Sequence, residues 1–240
     1  MTDFPGPDLP RGERRPINLT DLDVTRLNRL IGWGVWLVAI FLLWLAAGWA
    51  HSFYTDWLWF TSVGHESVLL TTTIARVVLY LGGLIVFLAL AIPNLHYARR
   101  ATDATPALAA GLTSTSYRVV RKLLLRGAAG AAILFALLLA AHPAAEWETA
   151  LMYLHRVPFG EAEPIFNRDF GFFVFTLPAL DLVRVWLLSA LFAIGLIVSG
   201  FYYLTSRTRS DHFAYLRQAR LHLALLGAAL FVVIAAGHWL

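Results

Sequence analysis

The 240-residue sequence contains no cysteine and few charged residues. Without cysteine the chain has no disulfide framework, no thiolate metal site and no cysteine nucleophile. Asp, Glu, Lys and Arg make up 14% of the residues, against 59% for hydrophobic ones, whereas soluble domains carry about a quarter charged residues. This shortage of charge is typical of a polytopic membrane protein.

Motifs for catalysis and nucleotide binding are also missing from the sequence. It has no Gly-x-Ser-x-Gly or Ser-x-x-Lys pattern, no P-loop and no Gly-x-Gly-x-x-Gly turn. The eight histidines show no His-x-x-x-His spacing, by which one helix face presents two metal ligands. We therefore predict that the protein is not an enzyme and uses no cofactor. Glu161, Glu163, Asp169 and His155 are kept as candidates to test for a metal site.

Five long apolar segments are present, and a helix needs about 20 such residues to cross a bilayer. The central turns of all five contain no Asp, Glu, Lys or Arg. They are residues 31–50, 69–92, 123–141, 183–204 and 221–240. We predict an all-α fold, with a transmembrane bundle of about five spans over residues 30–240. A cytoplasmic tail with a short juxtamembrane helix is predicted over residues 1–29.

The segments that connect the spans alternate in charge. Residues 1–29, 93–122 and 205–220 are rich in Arg and Lys, whereas residues 51–68 and 142–182 are acidic and aromatic. The positive-inside rule then places the N-terminus in the cytoplasm and the two acidic loops outside. The basic segments favour contact with anionic lipid at the cytoplasmic face over contact with nucleic acid.

Several residues near the predicted span ends have specific expected roles. Asp181 precedes Arg184 by three residues, so the two can pair on one helix face. Pro93 is expected to end the second span. Indole rings prefer the headgroup level, so we expect lipid anchoring by most of the tryptophans at the outer boundary, which are Trp49, Trp57, Trp59, Trp147, Trp186 and Trp239.

The stretch of residues 159–178 combines six phenylalanines with four charged residues. It is too charged to cross a bilayer and too apolar for a solvated loop. Helical spacing places Phe166, Phe170, Phe173 and Leu177 on one stripe, whereas strand spacing leaves both faces apolar, so helix and strand both stay open. We predict an interfacial segment on the outer leaflet between the third and fourth spans, ended by Pro178.

Two stretches, residues 55–83 and 159–178, resemble bacterial polytopic membrane proteins of uncharacterised protein family 0182. In the first stretch the resemblance is carried by Trp57, Trp59, Phe60, Gly64 and Glu66. In the second it is carried by Phe159, Gly160, Pro164, Phe166, Arg168, Asp169, Gly171, Phe172, Phe175 and Pro178. The resemblance implies a multi-pass protein of the bacterial plasma membrane and no agreed molecular activity.

The resemblance also implies differences and an extension. Glu163 stands where the family usually has Asp, Asn167 where it usually has Gly, and Phe173 where Tyr is common. Family members are much longer, with a large extracytoplasmic region after the helix that ends here at Leu240. We expect this chain to correspond to the N-terminal membrane region of such a protein.

Three functional hypotheses follow, in order of preference. The first is a non-enzymatic membrane anchor or scaffold for an extracytoplasmic region or an envelope protein partner. The second is a transporter or lipid-handling protein, which needs a passage or groove through the bundle. The third is a membrane-embedded metal-dependent enzyme that uses the outer carboxylates and His155, and it lacks any recognisable ligand spacing.

Overall fold

The computed structural model describes residues 24–103, 114–206 and 212–239, and its regular elements are helical. The elements are α1 Val24–Ser62, α2 Glu66–Asp103, α3 Ser114–Ala145, α4 Trp147–Leu154, a π-helical turn Phe172–Thr176, α5 Leu177–Ser206 and α6 His212–Trp239. The described residues include no extended strand, only an isolated bridge between Ala162 and Asp169. The all-α class is therefore confirmed. The predicted tail and the start of the juxtamembrane helix lie outside the described residues.

Four described helical stretches are long and apolar enough to cross a membrane. They are Glu66–Ala101, Arg121–Ala145, Phe172–Thr205 and Arg217–His238. These stretches overlap the second to fifth predicted spans. The first predicted span, residues 31–50, lies inside α1. Its passage through the membrane, the total of five spans and the cytoplasmic N-terminus stay predictions.

The chain divides into two units, Met1–Glu66 and Ser67–Leu240. In the first unit, α1 ends in a left-handed turn at Gly64, which has φ +70°. The N–H of His65 donates to the carbonyl of Phe60 at 2.9 Å, which is the six-to-one hydrogen bond of a Schellman cap. Gly64, one of the residues of the family resemblance, thus ends a helix, because glycine adopts positive φ at little cost.

In the second unit, α5 packs against both α3 and α6. Ile194 and Val198 of α5 are fully buried. They share one buried cluster with Ala132 and Ala136, which are four residues apart on α3. Small residues at this spacing let helices approach closely without a hydrophobic driving force from water. The alanine face of α3 is therefore part of the contact that holds the bundle together.

Close packing also joins α2 to α3. A Cβ atom added at Gly83 would lie 3.0 Å from Cγ of Pro143 and 3.4 Å from Cα of Ala140. The hydroxyl of Tyr80 donates to the carbonyl of Leu137 at 3.2 Å. The absence of a side chain at Gly83 thus allows a close local approach of α2 to α3, and one hydrogen bond joins the two helices nearby.

Two predictions about prolines were wrong. Pro93 lies inside α2, which continues to Asp103, and Pro178 is the second residue of α5 rather than a break before it. Pro178 comes one residue after Leu177, which follows the π turn and whose N–H donates to the carbonyl of Phe172, five residues earlier. Prolines are tolerated in membrane helices because local widening and neighbouring groups compensate for the lost hydrogen bond.

Trp186 is an exception to the lipid anchoring expected for most of the outer tryptophans. Its side chain is only 7% exposed, and its indole Nε1–H donates to the carbonyl of Leu139 at 3.0 Å. An α-helix would pair that carbonyl with the N–H four residues later, but this residue is Pro143, which has none. The indole of Trp186 therefore supplies to this α3 carbonyl the donor that the proline removes. Trp49, by contrast, is 64% exposed.

The predicted pairing of Asp181 with Arg184 is confirmed. Nε and Nη2 of Arg184 both donate to Oδ1 of Asp181, at 2.9 and 2.6 Å. Both side chains belong to the first turns of α5. The pair keeps an arginine next to an apolar span without leaving its charge unpaired.

Candidate functional site

Polar contacts concentrate at two places in the second unit. One is the segment of residues 159–171, which we name the Asp169 loop. The other is a buried group of side chains around His222, which we name the His222 cluster. The first belongs to the stretch singled out in the sequence, whereas the second joins three helices.

The Asp169 loop is a tight hairpin-like turn. The N–H of Glu163 donates to the carbonyl of Arg168 at 2.8 Å, and the N–H of Phe170 donates to the carbonyl of Glu161 at 3.1 Å. Helical structure begins only at Phe170 and continues through the π turn into α5. The stretch that could be helix or strand is therefore a closed turn in its first half and a helix in its second.

The carboxylate of Asp169 closes this turn. Its Oδ1 accepts hydrogen bonds from the N–H groups of Phe159 at 3.1 Å and Gly171 at 2.6 Å. Its Oδ2 accepts one from the N–H of Gly160 at 2.9 Å. These hydrogen bonds, with that of Phe159 first, hold the pKa of Asp169 below its usual value, against a smaller opposing effect of desolvation. The carboxylate is thus anionic at neutral pH and ties three backbone positions together.

Glu163 has a similar role at the tip of the loop. Its Oε2 accepts a hydrogen bond from the N–H of Phe166 at 2.7 Å, and its carbonyl accepts one from Asn167 at 2.9 Å. Asn167 has φ +52°, a left-handed conformation that Asn and Gly adopt most readily. Two of the three departures from the family pattern are therefore compatible with the turn, since Asn167 replaces Gly and Glu163 replaces another carboxylate.

Glycine is required at position 171 because three neighbouring groups leave no room for a side chain there. A Cβ atom at this position would lie 2.7 Å from Oδ1 of Asp169, 2.9 Å from the carbonyl oxygen of Val157 and 3.3 Å from Cδ2 of Phe159. The backbone of Gly171 can come this near the carboxylate only because the residue has no side chain.

Aromatic rings join the loop to the start of the apolar stretch Phe172–Thr205. Phe159 stacks on Phe175 with centroids 5.9 Å apart and planes at 10°. The ring of Phe166 lies 6.3 Å from that of Phe173. The predicted helical stripe is thus only partly correct, because Phe166 reaches Phe173 from the turn and not from a helix.

An open cleft of about 250 Å³ lies beside the loop. It is lined by Arg156, Val157, Pro158, Asp169, Gly171, Phe172 and Thr176. Nη1 of Arg156 donates to the carbonyl of Tyr153 at 3.0 Å, and the guanidinium lies 4.4 Å from the centre of that ring. The two charged groups of the cleft, Arg156 and Asp169, are therefore both engaged by neighbouring protein groups.

The four metal-site candidates are placed as follows. Asp169 and Glu163 accept backbone hydrogen bonds, and Nδ1 of His155 lies 3.0 Å from the carbonyl of Leu151. Glu161 contributes its backbone carbonyl to the hairpin. Within the part of the chain that the structure describes, no group of three His, Asp or Glu side chains could hold a metal ion. The carboxylates of Asp169 and Glu163 thus have a structural explanation.

The His222 cluster was missed in the sequence. The Tyr202 hydroxyl lies 3.0 Å from Nδ1 of His222, and Nε2 of His222 lies 2.9 Å from Oδ1 of Asn94. Since Nδ2 of Asn94 donates to the carbonyl of Leu90 at 2.7 Å, its Oδ1 accepts. This assigns the imidazole proton to Nε2, and Nδ1 accepts from the tyrosine. A neutral His222 therefore satisfies all three groups.

The cluster joins α2, α5 and α6 inside the bundle. Tyr202 is 4% and His222 6% exposed, and the ring of Tyr97 meets the His222 ring edge-on at 4.6 Å. A usable sequence signal existed, because Asn94 and His222 are amide and imidazole side chains in apolar helices, where such groups hydrogen-bond across helices.

The described residues thus form a helical bundle in which four helices are long and apolar enough to cross a membrane and a folded loop is tied to one of them. The particular group follows from comparison with known sequences. The chain belongs to the Uncharacterised protein family (UPF0182), whose family model matches residues 33–240. The resemblance seen in the two motif stretches is thereby confirmed.

Individual relatives share this region. The chain is 36% identical over 168 residues to a UPF0182 protein of Cupriavidus necator, which covers 69% of this chain and 18% of the relative. It is 33% identical over 196 residues to one of Rhodococcus jostii, covering 78% and 20%. It is 34% identical over 215 residues to one of Trichlorobacter lovleyi, covering 85% and 23%. The chain thus spans about a fifth of these relatives' length. No solved structure matches it.

Proposed function

We propose that this chain is a multi-pass region of the bacterial cell membrane that anchors and positions an extracytoplasmic region or an envelope partner. The observation that carries this proposal is the closure of the Asp169 loop by one carboxylate with three backbone N–H groups. A loop that only connects two spans needs no such closure. A loop that presents a fixed surface at the end of a span does.

The charge distribution supports an outward position for this surface. The loop belongs to the acidic segment 142–182, and the basic segments lie on the opposite side in the predicted topology. In this arrangement the N-terminus is cytoplasmic, the loop is an interfacial segment of the outer leaflet, and anionic lipid meets the basic segments. The chain spans only about a fifth of the length of its relatives. This supports a further region that the membrane part would anchor.

The test is deletion of the encoding gene in the native host, followed by profiling of envelope proteins and lipids. We expect an altered envelope protein composition, restored by the wild-type gene and by Glu161→Gln, but not by Asp169→Asn. An unchanged envelope after deletion would refute the anchor role. A change confined to lipids would favour the lipid-handling alternative instead.

Topology has a separate test. A reporter fused after Glu161 is expected to be active outside the membrane, and one fused after Ser206 inside. The reverse pattern would contradict the orientation on which the proposed function rests.

A further inference from the structure

The tip of the Asp169 loop exposes two large apolar side chains. Ile165 is 80% and Phe166 69% exposed, and both follow Pro164. Apolar area in contact with water costs roughly 25 cal/mol per Å². Two adjacent side chains of this size, presented by a turn that is otherwise closed by hydrogen bonds, indicate a surface that is covered by something apolar.

Ring contacts determine where the loop tip lies along the axis of the neighbouring span. Phe166 lies beside Phe173, and Phe159, itself 55% exposed, stacks on Phe175. Phe173 and Phe175 both belong to the apolar stretch Phe172–Thr205. The loop therefore folds back alongside the first turns of the span and does not project beyond its end.

The exposed surface continues from the loop onto the span. Phe170, where the helical structure begins at the end of the loop, is 40% exposed, and Val174, within the apolar stretch Phe172–Thr205, is 47% exposed. Side chains of a membrane-length helix that face away from the bundle contact acyl chains. The loop tip is thus an extension of a surface whose partner is lipid.

Part of the backbone of the tip is already hydrogen-bonded within the turn. Pro164 has no N–H, and the N–H groups of Phe166 and Asn167 already donate to Glu163. Unsatisfied N–H groups cost several kcal/mol each in hydrocarbon, so this pattern lowers the cost of insertion. The closed turn also requires little ordering when it enters the lipid.

We propose that the loop tip is a lipid-inserted wedge, with Ile165, Phe166 and Phe159 at the acyl boundary of the leaflet that contains the start of the fourth predicted span. The guanidinium of Arg168, 4.5 Å from the centre of the Phe172 ring, lies at the headgroup level of the same leaflet. The occupant is the bilayer and not a protein partner. This inference deepens the proposed membrane placement and rests on it.

The absence of cysteine makes a direct test simple. Single cysteines are introduced by Ile165→Cys and, independently, Phe166→Cys, labelled with a nitroxide, and the chain is placed in lipid nanodiscs, where both leaflets are accessible. Electron paramagnetic resonance then measures collision with oxygen, which concentrates in lipid, and with a water-soluble nickel chelate. Glu161→Cys is the water reference in the same loop, and Leu196→Cys, at a 49% exposed position of α5, is the lipid reference.

The expected result is a ratio of oxygen to nickel collisions at positions 165 and 166 that exceeds the ratio at 161 and approaches that at 196. A ratio equal to that at 161 would overturn the wedge while leaving the membrane placement intact. Protection of positions 165 and 166 from both reagents would also overturn it, because it would show a protein cover. A water-like ratio at 196 would refute the membrane placement itself, and the wedge with it.

Discussion

Oδ1 of Asp169 accepts a 2.6 Å hydrogen bond from the N–H of Gly171, two residues further along the chain. The same oxygen lies 2.7 Å from the place where a Cβ atom at Gly171 would stand. The carboxylate reaches the N–H only because Gly171 has no side chain. This match explains why an acidic residue and a glycine stand together in a phenylalanine-rich stretch.

Replacing Gly171 by alanine is expected to open the Asp169 loop. The added methyl group would meet the Asp169 carboxylate and the carbonyl oxygen of Val157, and the carboxylate cannot move without losing its backbone hydrogen bonds. Overpacking of this kind costs about 1–3 kcal/mol. Hydrogen–deuterium exchange should show faster exchange at the amides of Phe159, Gly160 and residue 171.

A matched control is Gly195→Ala in α5. No atom lies within 4 Å of a Cβ at this position, and alanine stabilises a helix interior by roughly 0.5–1 kcal/mol relative to glycine. We expect unchanged exchange in the loop and equal or higher thermal stability. Equal effects of the two substitutions would contradict the close-approach argument.

Removing the charge of Asp169 by Asp169→Asn is expected to lower the melting temperature in a pH-dependent way. The pKa of Asp169 is lowered by folding, so its contribution to stability is present above the usual value of 3.8. It is lost as the pH falls through the lower folded pKa. The difference in melting temperature between wild type and variant should therefore stay constant from neutral pH to about pH 4 and shrink below it.

Glu161→Gln is the control for this titration, because it removes one carboxylate charge from the same loop. The described contacts of Glu161 in the loop are made by its backbone. We expect a smaller change in melting temperature than for Asp169→Asn above about pH 4. A difference for Asp169→Asn that persists unchanged to pH 2 would show that the carboxylate is not the closing group.

The sequence predicted the location and unusual character of this loop but not the roles of its acidic residues. Charge and phenylalanine content placed it beside a span, whereas the partners of Asp169 and Glu163 are backbone N–H groups. Such contacts depend on the path of the chain and leave no spacing that can be recognised beforehand. Asn167 carried a readable signal, since Asn where Gly is usual indicates positive φ.

The interaction between Tyr202 and His222 is expected to appear as a coupling in a double-mutant cycle. Tyr202→Phe and His222→Leu each break the hydrogen bond between them, so the double variant should lose less stability than the sum of the two. Hydrogen bonds between membrane helices contribute about 0.6 kcal/mol on average and at most about 1.7. Unfolding in mixed micelles measures this coupling energy.

A cycle between Tyr202→Phe and Thr71→Ala provides the comparison. Thr71 donates to the carbonyl of Ser67 at 2.8 Å near the start of α2, far along the helix from Asn94. Separated sites add within about 0.3–0.5 kcal/mol. Coupling that is no larger for Tyr202 and His222 than for this pair would show that the cluster does not join the helices energetically.

Segment hydropathy predicted the helices, but it could not predict their ends or the direction of individual side chains. Pro93 and Pro178 were predicted to end helical segments because proline has no N–H to donate. Both nevertheless lie inside continuous helices. Trp186 stands near a span end, which is typical of a lipid-anchoring tryptophan. Its hydrogen bond depends on Leu139 and Pro143 of another helix, and the sequence of its own span does not contain that information.

The indole of Trp186 is expected to matter only because Pro143 leaves the Leu139 carbonyl without its helical donor. Trp186→Phe should therefore cost about 1–3 kcal/mol of stability in the wild-type chain, the typical effect of leaving a buried acceptor unpaired. In a Pro143→Ala background the N–H of residue 143 can donate to that carbonyl, so the same substitution should cost less. Unfolding in mixed micelles measures both differences. Trp49→Phe, at an exposed position, is the control and should have the same small effect in both backgrounds. If Trp186→Phe costs the same stability in both backgrounds, the indole does not act as a substitute for the N–H that Pro143 lacks.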